Sequence, residues 1–200
     1  MVGCDSLEVV ILVRIQVPQP IDMTVIPLIK KILEYRNTGT AIDIGAGQGH
    51  HSIFLAEQGF TVTALDADAS LVKKLSEEAK ERNLPLVAKV GDVRELEGQW
   101  DVVVCTFVLH FLQDNEVEKA INILKKITKS GGLNVIGVHT TENGAERDRK
   151  PHLFELNELK DRYADWKILY YWHGLGKAFV SRTTGEKLAK YRADLISQKP

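Results

Sequence analysis

Short apolar runs alternate with amphipathic stretches along most of the chain, which is 200 residues long. Such runs predict buried strands, and apolar residues spaced three and four apart predict helices that bury one side. Strand and helix alternate five times, so we expect a three-layer, doubly wound α/β fold with a mostly parallel sheet. The predicted strands cover 40–44, 61–65, 84–90, 102–106 and 133–139, and the predicted helices cover 24–37, 50–57, 71–79 and 117–127.

The ends of two helices carry recognisable signals. Asp68 is predicted to cap the third helix, because an aspartate side chain can accept hydrogen bonds from the first N–H groups of a helix. Gly131 and Gly132 are predicted to end the fourth helix.

The last part of the chain has a different pattern. A polar, charged segment at 140–152 is predicted to be a loop, and a short helix is predicted at 154–163. Two strands are then predicted at 166–172 and 188–197, with no helix between them. Strands joined without a crossover helix are expected to pair antiparallel.

Charge and cysteine content narrow the function classes. The formal net charge is −1 and the charged residues are scattered, which argues against nucleic-acid or membrane binding and favours a small-molecule ligand. Cys4 and Cys105 lie far apart, so we expect no disulfide framework, no metal site and a cytoplasmic protein.

The apolar segment at 7–17 is interrupted by Arg14, and it is too short to span a bilayer. We predict a half-buried strand there. Residues 1–23 are therefore treated as an N-terminal extension and residues 24–200 as one domain, with the oligomeric state left open.

The segment AIDIGAGQGHHS, residues 41–52, puts three glycines between the first strand and the next helix. Glycine beside regular structure costs about 0.5 to 1 kcal/mol relative to alanine, so we expect this turn to approach a ligand closely. A dinucleotide fingerprint is disfavoured because His50 stands where a glycine or alanine packs the helix. A phosphate-binding P-loop is excluded because no Lys and Ser/Thr pair follows the last glycine. A tight turn without a ligand is the competing interpretation.

The groups around this turn suit a zwitterionic ligand. Asp43 ends the strand, where its carboxylate would face an amino group, and a helix N-terminus expected near Gln48 favours a carboxylate. S-adenosylmethionine carries both groups on one carbon. We therefore predict that the turn binds its methionine part.

Two further strand ends extend the predicted site. Asp66 can accept hydrogen bonds from ribose hydroxyls, and Asp92 can accept one from the adenine amine, with Val93 against the ring. A simple turn acid is the competing interpretation of Asp92. The predicted cofactor-binding residues are Asp43, Gly45, Ala46, Gly47, Gly49, Asp66, Ala67, Gly91, Asp92, Val93 and Thr106.

This series of motifs, over about residues 24–140, resembles the class I S-adenosylmethionine-dependent methyltransferases. Residues 42–69 and 152–199 are most similar to the tellurite-resistance (TehB-type) methyltransferase family. The resemblance implies a seven-stranded sheet whose last strand is antiparallel. It also implies methyl transfer to small chalcogen oxyanions such as tellurite or selenite. In this resemblance, Ser181-Arg182-Thr183 corresponds to a His-Arg-Thr stretch near the family's substrate pocket.

For methyl transfer the protein mainly has to hold the methyl donor and the acceptor in line, because a sulfonium methyl is already electrophilic. Thr106, Phe107 and His110 should border the acceptor. His110 is a candidate base, with a packed histidine as the competing interpretation, and Arg182 is a second catalytic candidate. A basic lid for an anionic acceptor is predicted, formed by Arg147, Arg149, Lys150, His152 and Arg182. Solvated loop charges are the competing interpretation of these residues.

The sequence thus predicts an S-adenosylmethionine-dependent methyltransferase with a small-molecule acceptor. An NAD(P)-dependent oxidoreductase is the nearest enzyme alternative, disfavoured by His50 and by the two late strands without a crossover helix. A non-catalytic S-adenosylmethionine-binding protein is the other alternative.

Overall fold

The computed structural model of the chain describes residues 25–141, 151–176, 179–180, 187–188 and 190–200. The strand predicted within 7–17 lies outside these residues, as does most of the polar loop predicted at 140–152. No helix in the described parts of the chain is long and apolar enough to cross a membrane.

Among the described residues, seven strands form one sheet in the order β3-β2-β1-β4-β5-β9-β6, and two short strands, β7 and β8, pair separately. Strands β1 to β5 run parallel, whereas β9 lies between β5 and β6 and is antiparallel to both. The mostly parallel sheet with an antiparallel last strand is therefore confirmed. The strands are β1 Gly39–Ile44, β2 Phe60–Asp66, β3 Leu86–Val90, β4 Trp100–Thr106, β5 Thr128–His139, β6 Lys167–Leu175, β7 Phe179–Val180, β8 Lys187–Leu188 and β9 Tyr191–Gln198.

Helices cover both faces of the sheet, as predicted. Ile42 and Ile44 of β1 pack in one apolar cluster with Val117 of α4, whereas Ala41 packs in a second cluster with Leu55 of α2. Alternate residues of a strand point to opposite faces, so one strand serves both clusters. The helices are α1 Pro27–Lys31, α2 His50–Glu57, α3 Ala69–Glu81, α4 Asp114–Lys126 and α5 Glu158–Asp161.

The predicted cap of α3 is confirmed. The Asp68 side chain accepts hydrogen bonds from the N–H groups of Ser70 at 2.8 Å and Leu71 at 3.3 Å. Two predicted helices are shorter than expected. The helix predicted over 24–37 is α1 followed by a 3-10 turn at Ile32–Glu34, and only α5 is helical within 154–163.

The prediction that Gly131 and Gly132 end α4 is wrong. The helix ends at Lys126, and both glycines lie inside β5, where the pairing with β4 shifts its register. Gly131 has a φ of +71°, and a Cβ on Gly132 would lie 2.8 Å from the carbonyl oxygen of Lys129. These glycines accommodate a bulge in the strand.

Candidate functional site

The glycine turn joins the carboxyl end of β1 to α2. Gly45, Gly47 and Gly49 have φ values of +72°, +57° and +80°, in the left-handed region that costs other residues about 1 to 2 kcal/mol. A Cβ on Gly45 would lie 2.3 Å from Val108, and one on Gly49 would lie 2.2 Å from Leu75, whereas one on Gly47 would meet no atom of the described residues within 4 Å. Gly45 and Gly49 therefore serve internal packing whether or not a ligand binds, and Gly47 faces open space.

A small cleft opens beside the turn, with a cavity volume of about 40 Å³. Its walls come from the carboxyl ends of β1, β2 and β3 and from the segment after β4. Six predicted cofactor-binding residues are among its lining, which consists of Ile44, Gly45, Leu65, Asp66, Ala67, Gly91, Asp92, Val93, Val108 and Leu112. The five other predicted residues are not part of this lining: Asp43, Ala46, Gly47, Gly49 and Thr106.

Asp66 lies in this lining, and the backbone fixes its carboxylate. Its Oδ2 accepts a hydrogen bond from the Gly47 N–H at 2.7 Å, and its Oδ1 accepts one from the Asp68 N–H at 2.9 Å. A carboxylate has about four lone-pair sites, so Asp66 keeps capacity for ligand hydroxyls.

Asp92 has a partner that the sequence did not predict. Arg94 donates from its N–H at 2.9 Å, from Nε at 2.9 Å and from its terminal nitrogen at 2.7 Å. Partial burial alone would raise the pKa of Asp92, but these hydrogen bonds bring it below its ordinary value. Asp92 therefore stays charged and oriented at the cleft.

Asp43 lies under the turn and is only 1 % exposed. It accepts a hydrogen bond from Ser52 Oγ at 2.6 Å. Burial raises the pKa of Asp43 despite the nearby His51, and burial lowers the pKa of His51. His51 Nδ1 lies 3.4 Å from Thr106 Oγ1. The sequence analysis assigned no role to Ser52 or His51, although both lie in the segment AIDIGAGQGHHS.

The amides of the turn bond within the protein. The N–H groups of Gly45 and Ala46 donate to the Leu65 carbonyl oxygen at 2.8 and 3.0 Å, and the Gly49 N–H donates to the Ala46 carbonyl oxygen at 2.9 Å. The helix begins at His50 rather than near Gln48. The first turn of α2 is therefore the part of this segment that can offer N–H groups to an anion.

The segment after β4 carries packed aromatic rings. The Phe107 ring stacks on His139 at 4.9 Å, and the His110 ring lies 4.2 Å from Phe111 and 4.7 Å from His139. His110 is 1 % exposed, as expected for a packed histidine. Its predicted role as a base stays a prediction. Cys105 is buried and packs in the apolar core, and burial raises the pKa of its thiol.

Of the predicted basic lid, the structure describes only His152. Arg147, Arg149, Lys150 and Arg182 lie outside the described residues. His152 contacts two carboxylates, with Nδ1 2.6 Å from Asp114 Oδ1 and Nε2 3.3 Å from Glu158 Oε1. No group of three or more His, Cys, Asp and Glu side chains suited to a metal ion occurs among the described residues.

Sequence reasoning also missed Arg192 and Asp194 near the carboxyl end of β5. Their side chains form an ion pair at 2.9 Å and are 16 % and 3 % exposed. All five residues at 193–197 of β9 are buried, so a charged residue between the apolar Ala193 and Leu195 was the signal that could have identified Asp194.

The chain is similar to proteins of known sequence. The model of the family "Tellurite resistance protein TehB" matches residues 22–194. The Haemophilus influenzae protein named "Probable S-adenosyl-L-methionine-dependent methyltransferase TehB" is 27 % identical over 161 residues, which are 79 % of this chain and 56 % of that protein. "Hemagglutinin 1" of Eikenella corrodens is 29 % identical over 163 residues, which are 80 % and 54 % of the two chains. The chain spans about half the length of these curated relatives.

Solved structures share the fold. The crystal structure of TehB from Haemophilus influenzae has a TM-score of 0.79 at 24 % identity, covering 88 % of this chain and 63 % of that chain. A methyltransferase structure from Methanosarcina mazei has a TM-score of 0.70 at 20 % identity, covering 88 % and 99 %. The fold is the Rossmann-like fold of S-adenosylmethionine-dependent methyltransferases, and the chain belongs to the tellurite resistance protein TehB family.

Proposed function

We propose that the chain is an S-adenosylmethionine-dependent methyltransferase that acts on a small-molecule acceptor. The observation that carries the proposal is the cleft at the carboxyl ends of β1, β2 and β3, with the Asp66 carboxylate held in its lining by the Gly47 N–H. Ligands of doubly wound folds bind at this edge of the sheet. Family membership supports the same activity.

The residues of the cleft suit an adenosine group. The Asp66 carboxylate can accept hydrogen bonds from both ribose hydroxyls, because the backbone N–H groups leave lone pairs available. Leu65, Val93 and Leu112 provide apolar walls for the adenine ring. The amino acid part of the cofactor would extend toward Gly47 and the first turn of α2, where N–H groups favour a carboxylate.

The cofactor, when bound, supplies an electrophilic methyl group. The chain has to hold the acceptor in line with that group and exclude water. Such orientation can lower a barrier by about 7 to 11 kcal/mol. Thr106 and Phe107, at the carboxyl end of β4, are the residues that we assign to the acceptor side.

We further propose that the acceptor is a chalcogen oxyanion such as selenite or tellurite. The family name supports this substrate class, and Arg192 places a guanidinium 5.8 Å from the Phe107 ring, on the proposed acceptor side. Soft chalcogen atoms with free electron pairs are good nucleophiles toward a methyl sulfonium, so a covalent protein nucleophile is not needed.

Isothermal titration calorimetry with S-adenosylmethionine, S-adenosylhomocysteine and NADH tests the cofactor. We expect both adenosyl sulfur compounds to bind, and binding of NADH alone would overturn the proposal. Turnover is then measured as formation of S-adenosylhomocysteine with selenite, tellurite, thiols and a metabolite panel as acceptors. Binding without turnover for any acceptor would indicate a non-catalytic binding protein.

A further inference from the structure

A buried ion pair lies at the edge of the sheet where the acceptor is proposed to bind. Arg192 and Asp194 are two residues apart in β9, so their side chains share one face of the sheet. An Arg192 terminal nitrogen lies 2.9 Å from Asp194 Oδ2. Asp194 is 2 % exposed and is therefore withdrawn from solvent, while the Arg192 side chain keeps limited access to solvent.

The pair adjoins the end of β4. Asp194 is opposite Gly137 of β5, and Gly137 pairs with Thr106 of β4. A Cβ on Gly137 would lie 3.5 Å from both Asp194 Oδ1 and Thr106 Cγ2, so these two side chains meet above the glycine. The Arg192 guanidinium lies 5.8 Å from the Phe107 ring and 5.3 Å from the Trp172 ring, both within cation–π range.

The hydrogen bonding of this pair is incomplete. Asp194 Oδ1 and Arg192 Nε are both buried and have no hydrogen-bond partner among the residues that the structure describes. A buried ion pair is weak evidence for a stabilising role, and a buried polar atom without a partner is destabilising. One atom lacks a donor and the other lacks an acceptor. A ligand that supplies both would complete the pair.

We propose that Arg192 and Asp194 together recognise the methyl acceptor as a small oxyanion that retains one hydroxyl group, such as hydrogen selenite. This inference rests on the proposed function. The guanidinium of Arg192 donates hydrogen bonds to the charged oxygens, and the carboxylate of Asp194 accepts a hydrogen bond from the hydroxyl. Phe107 and Trp172 hold the guanidinium in place.

The carboxylate gives this pair its selectivity. An anion without a hydroxyl would bring negative oxygens against Asp194, and like charges at short range in a buried site repel strongly. Burial raises the pKa of Asp194 to about 6, with Arg192 acting in the opposite direction, so the carboxylate still carries charge near neutral pH. Selenite, which takes up a proton near neutral pH, should therefore bind better than sulfate, which does not.

The test is calorimetric titration of the full chain with sodium selenite and with sodium sulfate, with and without saturating S-adenosylhomocysteine. We expect selenite to bind more tightly than sulfate. Arg192→Met should weaken selenite binding by about 10- to 100-fold, the range expected for lost hydrogen bonds to a charged group. Arg192→Lys keeps the charge but loses the planar fork, and should give an intermediate loss. Asp194→Asn should narrow the preference for selenite over sulfate.

Arg36→Met is the matched control. Arg36 also faces a carboxylate, that of Asp101 at 3.5 Å, but it lies at the amino edge of the sheet. This variant should bind selenite as the wild type does. Failure of the wild type to bind selenite at millimolar concentration would overturn the inference, as would wild-type affinity in both Arg192 variants or an equal loss in Arg36→Met.

Different results would overturn the proposed function and the inference about the acceptor. The proposed function fails when the wild type binds neither S-adenosylmethionine nor S-adenosylhomocysteine. The inference about the acceptor fails when selenite binding does not depend on Arg192, whatever the cofactor result. Circular dichroism of each variant verifies its folding, and Arg192→Lys provides the test should Arg192→Met not fold.

Discussion

The two edges of the sheet use their aspartates differently. At the amino edge, Asp101 Oδ2 accepts hydrogen bonds from the Thr40 N–H at 2.8 Å, from Thr40 Oγ1 at 2.8 Å and from Lys129 Nζ at 2.9 Å. Partial burial alone would raise its pKa, but these hydrogen bonds lower the pKa of Asp101 to about 2. This carboxylate is held in its charged form.

At the carboxyl edge, Arg94 lowers the pKa of Asp92, but for two other aspartates burial dominates. It raises the pKa of Asp43 although Ser52 donates a hydrogen bond, and it raises the pKa of Asp194 to about 6 although Arg192 is in contact. The carboxyl edge is also where the three glycines of the turn have positive φ values. The comparison teaches that the amino edge holds a carboxylate stabilised in its charged form, whereas two buried carboxylates that cost stability when charged lie at the edge where ligands of this fold bind.

The glycines of the turn should give the largest effect. Gly49→Ala is expected to destabilise the fold by about 4 kcal/mol, because a left-handed conformation and a crowded core add their costs. The crowding comes from Leu75, whose Cδ1 would lie 2.2 Å from the new Cβ. Gly47→Ala is the matched control and should cost only about 1 to 2 kcal/mol, for the backbone alone. Urea denaturation measures the free energy of unfolding of both variants. Equal losses of stability would contradict the expected difference between Gly49 and Gly47.

Asp194→Asn should make the chain more stable by about 3 kcal/mol at about pH 8. The folded state holds the proton of Asp194 more tightly than the unfolded state does, since burial raises its pKa to about 6. Wild-type stability therefore falls as the pH rises from about 4 to about 6, and the variant lacks this loss. Urea denaturation at both ends of the range measures the difference. A variant less stable than the wild type at high pH would show that attraction by Arg192 outweighs burial.

Asp101→Asn should destabilise the fold by about 2 kcal/mol near neutral pH. The pKa of Asp101 is lowered to about 2 in the folded state, so its contribution is complete above about pH 4 and is lost as the pH falls through about 2. Denaturation curves across this range provide the measurement. Glu77→Gln, in an ion pair with both side chains more than half exposed, is the control and should change little. A pH-independent loss at Asp101 would argue against this interpretation.

Asp66→Ala should weaken S-adenosylmethionine binding by about tenfold, or about 1.4 kcal/mol. The effect is at the lower end for a charged hydrogen bond, because the N–H groups of Gly47 and Asp68 already occupy part of the carboxylate. Calorimetry measures the affinity of the variant for S-adenosylmethionine. Asp68→Ala removes a carboxylate from the same segment and should lower stability through the cap of α3 without changing this affinity. An unchanged dissociation constant for Asp66→Ala would mean that the ribose lies elsewhere.

Local patterns predicted most of the fold. Helix α2 occupies the predicted residues 50–57, and the strands predicted at 40–44 and 61–65 each extend by only one residue at one or both ends. The error at Gly131 and Gly132 has a tertiary cause. Glycines after a helix usually end it, but here the pairing of β5 with β4 demands a bulge at that point.

The candidate site was predicted through residues that follow strands. Asp66, Gly91 and Asp92 line one cleft, because the carboxyl ends of parallel strands meet at one edge, and their role in cofactor binding stays a prediction. The partners were not predictable. The hydrogen bonds from Arg94 to Asp92 and from Ser52 to Asp43 depend on side-chain directions that local sequence patterns do not determine. Arg192 faces Phe107 only because β9 pairs with β5.

Amide hydrogen–deuterium exchange with and without S-adenosylhomocysteine tests the central claim most directly, because it reads both edges of the sheet in one experiment. We expect slower exchange at the carboxyl edge, in the segments 44–52, 65–68 and 91–93. We expect no change at the amino edge, around Thr40, Asp101 and Lys129. Protection at the amino edge, or none at the carboxyl edge when calorimetry shows binding, would contradict this claim.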